Sequence, residues 1–175
     1  MLNQTLARVV AIIDTLTEYL GKIISWFTLV LVCLTFAVVL LRYGFEIGSV
    51  ALQESVLYFH AAVILLGAGY TLKHDDHVRV DIFYQNFSDK SKALVNLIGA
   101  VLLLLPVCIF IFYVSIDYVL LSWQILEKSQ EPGGLPLVFI NKSLVLALVG
   151  TLVLQGIAEI ARNLLVCLPA KKGVN

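Results

Sequence analysis

The sequence predicts an all-α integral membrane protein: four transmembrane helices, an N-terminal amphipathic helix and short interfacial helices. Three observations predict it. Of 175 residues, 60% are hydrophobic and 14% charged, where a soluble domain carries about 45–50% and about 25%. The apolar residues are gathered into long runs broken by short polar stretches, as helices facing lipid require. Within the runs 23–41, 55–72 and 93–116, His60 is the only His, Asp, Glu, Lys or Arg.

The elements follow in order. In residues 1–22, Leu2, Leu6, Val9, Val10, Ile13, Leu16 and Leu20 share one helical stripe, with Asn3, Arg8, Asp14 and Glu18 largely off it. That pattern predicts an amphipathic interfacial helix, suited to the membrane surface or to a partner helix. Arg8, Asp14, Glu18 and Lys22 leave no short apolar stretch behind a basic start, so a cleavable signal is not expected. A four-helix membrane domain is predicted over 23–168. Its first span, 23–41, gives about 28 Å of helix, close to the hydrocarbon thickness. Trp26 lies near one end and Tyr43 just past the other, as an aromatic belt requires.

The second span, 55–72, contains His60. The third, 93–116, carries Pro106 near its middle, where the missing N–H predicts a kink. The fourth, 142–166, is interrupted by Glu159 and Arg162, one turn apart and able to pair. Lys142 can snorkel at its other end. Between spans 3 and 4, Glu131-Pro132-Gly133-Gly134-Leu135-Pro136 is a strong turn signal. Residues 169–175 form a polar tail.

Acidic and basic residues balance at 12 each, so net charge argues for neither a nucleic acid nor an acidic partner. Placement is informative instead. Nine Lys and Arg residues fall in the amino-terminal segment, the second loop and the tail, against Arg42, Lys128 and Lys142 on the other side. Both termini are therefore expected in the cytoplasm.

Little in the chain suggests catalysis. No nucleophile–base arrangement or Gly-rich phosphate loop stands out, and no enzyme activity is expected. Cys33, Cys108 and Cys167 are far apart, without disulfide or zinc spacing. His74-Asp75-Asp76-His77 offers metal-ligand types at helical spacing. With no further ligand cluster in view, a charged loop at headgroup level is the preferred reading, and no metal or cofactor is expected on the chain. His60 is a functional candidate by its depth alone. A neutral imidazole hydrogen-bonded to another helix is the preferred reading. Arg42 and Glu54 should lie on the same side at similar depth. An ion pair and two independent interfacial charges both remain open.

Several residues then fall into a family pattern. Arg42-Tyr43-Gly44-Phe45 follows span 1, and Gln53-Glu54 opens span 2. Leu66-Gly67-Ala68-Gly69-Tyr70-Thr71-Leu72-Lys73 closes it, and His77-Val78-Arg79-Val80-Asp81 comes next. The chain resembles the small permease subunit of tripartite ATP-independent periplasmic (TRAP) transporters, a DctQ-like family, over about residues 15–168. It departs from that pattern at Ser49-Val50-Ala51-Leu52-Gln53, where many members carry an aromatic residue before the Glu.

The resemblance implies a bacterial inner-membrane subunit that scaffolds a large permease subunit. That partner would import an organic acid with a sodium gradient, the acid being delivered by a periplasmic binding protein and the sodium bound on the large subunit. Arg42, Tyr43, Glu54, His77, Arg79, Asp81, Gly133, Gly134 and Pro136 become the candidate interface with that partner or with lipid. Arg79 could bind a lipid phosphate while Asp81 caps a short surface helix over 82–87. Ala61, Ala62, Gly67 and Gly69 favour close helix approach, and spans 1 and 2 are expected to meet the partner. The alternative is a membrane-anchor subunit of an oxidoreductase, but a haem pair needs His residues in two spans, and only His60 lies inside one. A stand-alone channel would need a polar stripe, which the spans lack.

Overall fold

The computed structural model describes residues 2–77 and 84–168, and helices dominate them. They are α1 (Leu2–Gly44), α2 (Val50–Lys73), α3 (Asp89–Gly99), α4 (Leu105–Gln124) and α5 (Val138–Cys167). A 3-10 turn at Tyr84–Asn86 precedes α3, and a π-helical segment, Ala100–Leu104, joins α3 to α4. Asp89–Gln124 therefore forms one candidate span beside those of α1, α2 and α5. These four long apolar helices are the predicted fold class.

The N-terminal amphipathic segment is not a separate helix. It runs without a break into span 1 as one helix of 43 residues. At 1.5 Å per residue that is about 64 Å, roughly twice the hydrocarbon thickness. Gly21 is the only helix-weakening residue near the expected boundary, and a single Gly costs a helix about 1 kcal/mol without breaking it. The packed face also differs from the predicted stripe. Ile13, Thr17 and Ile24 are buried, whereas Leu16 is exposed. Ion pairs to other helices draw Asp14 and Glu18 towards the protein, so Ile12, Leu16 and Tyr19 turn outward.

The ends of the helices have local causes. Ser49 caps α2, its hydroxyl oxygen accepting the Leu52 N–H at 3.4 Å, so the helix starts before the predicted residue 55. Ser88 caps α3 in the same way through Ser91 N–H at 3.3 Å, and Asp89 adds a favourable charge in the first turn. Asp75 ends α2 with φ 60°. Its N–H donates to Leu72 O at 3.2 Å and that of Asp76 to Thr71 O at 3.1 Å, a Schellman closure. Leu126 ends α4 in the same left-handed conformation at φ 45°, with Glu127 N–H on Ser122 O at 3.0 Å.

The irregularity predicted at Pro106 takes the form of the π segment. Pro106 lies in the first turn of α4, with no N–H to offer and a ring that crowds the preceding turn. The backbone relieves this by widening, and Leu105 N–H reaches back to Ala100 O.

Helix α5 is the centre of the bundle. It packs against α1, α2, α3 and α4, while α1 and α2 pack on each other. Half of its six buried positions are Gly or Ala: Gly156, Ala158 and Ala161. Small residues let backbones approach, which matters in lipid because apolar burial alone gives helices little reason to associate. Gly69 of α2 does the same, since a Cβ there would lie 3.0–3.3 Å from Thr151 of α5.

Candidate partner interface

Polar side chains fasten the bundle at both ends. At the end carrying the chain termini, Glu18 of α1 accepts from Lys73 Nζ of α2 at 2.6 Å, with His74 Nε2 at 3.4 Å from the same oxygen. His74 also lies against the Tyr70 ring, 4.4 Å between centroids. Among the described residues no group of three His, Cys, Asp or Glu side chains could hold a metal.

One turn nearer the N-terminus, Asp14 accepts from Arg162 Nη2 on both carboxylate oxygens, each at 2.9 Å. Arg162 also pairs with Glu159, as the sequence predicts. Gln155 completes this clasp. It is 0% exposed, accepts the Thr17 hydroxyl at 3.0 Å and donates to Asp14 at 3.3 Å. None of the α1–α5 bonds was legible beforehand. The only signals were a Gln inside an apolar run and an Asp and Thr three residues apart.

At the opposite end, α1 runs into α2 and α4 into α5. Glu54 there does not pair with Arg42. It accepts the Leu135 N–H at 2.6 Å and the Ser129 hydroxyl, so α2 holds the loop between α4 and α5 as a hook. Gly133 and Gly134 make this possible. Gly133 has φ 80°, a left-handed conformation that favours glycine. A Cβ on Gly134 would lie 2.8 Å from Glu54 Oε1.

A second tie holds the same loop. Lys142 of α5 donates to Glu127 Oε2 at 2.5 Å and lies 4.0 Å from the Tyr118 ring centroid. The lysine beside it holds the Glu127 carboxyl below its usual value of 4.5. The predicted snorkelling of Lys142 is thus directed at a carboxylate. Trp123 Nε1 donates to Ser143 Oγ at 2.7 Å across the same junction.

The candidate residues therefore separate. Glu54, Gly133 and Gly134 come together at the loop end, while Pro136 is exposed beside them. Arg42 and Tyr43 are exposed at the end of α1, and Arg42 has no ion-pair or hydrogen-bond partner among the described residues. His77 is exposed beyond the other end of α2. Arg79 and Asp81, with most of the expected 82–87 surface helix, lie outside the described residues. Just past them, Tyr84 OH donates to Asn96 Oδ1 at 3.0 Å, tying the 3-10 turn to α3.

His60 also departs from expectation. It faces outward from α2 and has no hydrogen-bond partner among the described residues, rather than bonding a neighbouring helix of the chain.

Comparison with known proteins agrees with this architecture. The family model described as tripartite ATP-independent periplasmic transporters, DctQ component, matches residues 31–166. That stretch takes in every span except the N-terminal part of α1. Neither the curated proteins nor the solved structures yield a significant match. With most of its length covered by that model, the chain belongs to the DctQ family, the small permease component of TRAP transporters.

Proposed function

We propose that the chain scaffolds the large permease subunit of a TRAP system that takes up an organic acid with a sodium gradient. A periplasmic binding protein delivers the acid, and the sodium sites are on the large subunit. The chain lies in the bacterial inner membrane with both termini in the cytoplasm, following its Lys and Arg distribution.

The observation that carries this reading, beyond family membership, is where the polar side chains go. Gln155, Asp14 and Arg162 join α1 to α5, Glu18 and Lys73 join α1 to α2, and Glu54 joins α2 to the α4–α5 loop. Each is spent on holding one helix to another, which suits a rigid frame. A carrier instead places broken helices and polar groups around a site near the midplane. The redox-anchor alternative loses its ground, because DctQ is a transporter component and His60 faces out of the bundle.

The test is a pull-down of the tagged chain from native membranes in mild detergent, with mass spectrometry of what accompanies it. A large polytopic permease in near-equal amount is the expected result. A redox enzyme, or no partner, overturns the proposal. Cysteine labelling at each terminus from either side of the membrane checks the orientation.

A further inference from the structure

Helix α2 touches α1 and α5 and leaves one face uncovered. Its exposed positions within the helix are Gln53, Leu57, His60 and Ile64. Their spacing of four, three and four residues is that of a helix-packing seam, and Gly67 continues it by three. A Cβ added at Gly67 would meet nothing within 4 Å, so the seam is open to close approach at that point.

His60 lies about 15 Å along the axis from Val50 and about 20 Å from Lys73, near the middle of the hydrocarbon. Its ring has no hydrogen-bond partner among the described residues, and the same holds for the Gln53 side chain. Lipid tails offer His60 no partner. The exposed faces of α1 and α4 contrast with this. Around Leu29, Val32 and Phe36, and around Ile109 and Phe110, they present apolar side chains suited to lipid.

We propose that this α2 stripe, centred on His60, is the seam on which one transmembrane helix of the large permease subunit packs, with a hydrogen-bonding side chain of that helix opposite His60. The proposal rests on the scaffold reading above and specifies its contact surface. Three features select a helix rather than lipid. The seam has helical knob spacing, it has a glycine that admits a close backbone, and its polar group at membrane depth gains a bond only from protein.

The test places a photo-crosslinking residue at Leu57 or Ile64, with Leu29 of α1 and Phe110 of α4 as controls. The full complex is then isolated from membranes. These positions are all exposed, so folding is not at stake. Crosslinks from 57 and 64 to the large permease, and few from 29 and 110, are expected. His60→Leu should lower the permease retained through a detergent wash by roughly 3- to 20-fold, the range of one interhelical hydrogen bond in a membrane. His60→Gln, which keeps a donor and an acceptor, should retain most of it.

If the permease co-purifies but positions 57 and 64 crosslink only to lipid or to a second copy of this chain, the seam is overturned and the scaffold reading stands. Unchanged retention with His60→Leu overturns the hydrogen bond at its centre. Absence of any permease from the isolate overturns the scaffold reading, and the seam with it.

Discussion

Replacing Gln155 by Leu tests the clasp between α1 and α5 most directly. The two side chains have similar volume, so the change removes hydrogen bonds without opening a large cavity. Two bonds are lost, from the Thr17 hydroxyl at 3.0 Å and to Asp14 at 3.3 Å. Hydrogen bonds between helices in membranes contribute about 0.6 kcal/mol on average and up to about 1.7. The Thr17 hydroxyl is also buried, and leaving it without an acceptor costs about 1 kcal/mol. Bonding back to its own helix offsets part of that cost. The expected loss is about 1–2 kcal/mol in reversible unfolding of the purified chain in mixed micelles titrated with SDS. Thr17→Val alone should cost about 1 kcal/mol, for the mirror-image reason. Together the two substitutions should cost much less than their sum, because an apolar pair leaves nothing unsatisfied, and the coupling should be about 0.5–1.5 kcal/mol. A Gln155→Leu protein as stable as the parent, or strict additivity of the two changes, would refute the clasp.

Three further outcomes are expected. Glu54→Ala should speed amide exchange at Leu135 and expose the segment near Ser129 to protease, because both lose their acceptor. Glu54→Gln, which keeps one acceptor oxygen, should show a smaller change. Leu126→Gly should stabilise the chain by about 0.5–1 kcal/mol in thermal unfolding, because it removes the left-handed strain of an exposed Leu at the end of α4. Glu127 is held below its usual carboxyl value by Lys142, so the pair stabilises the loop above the unfolded carboxyl value of 4.5. That stabilisation fades as pH falls through the lowered value. A melting series from about pH 6 to about pH 3 should show an acid-side loss that Lys142→Met diminishes.

Sequence alone determined the class of the molecule, because the requirements of lipid are written locally. A span must be a continuous apolar run, and each run is visible without reference to any other part of the chain. The same locality made Pro106 legible as an irregularity in the third span and Glu159 with Arg162 as a pair, since a missing N–H or a one-turn spacing acts within a few residues. Only the tertiary structure decided what joins distant segments. Thr17 and Gln155 are 138 residues apart, and Glu54 and Leu135 are 81 apart. Which acceptor meets which donor depends on how the helices pack, and neither periodicity nor composition carries that. The orientation of α1 shows why: its polar Asp14 and Glu18 face the protein because Arg162, Lys73 and Gln155 wait there, and its apolar Leu16 is left facing outward. His60 follows the same rule in reverse, since the packing of α2 on α1 and α5 leaves it on the uncovered face.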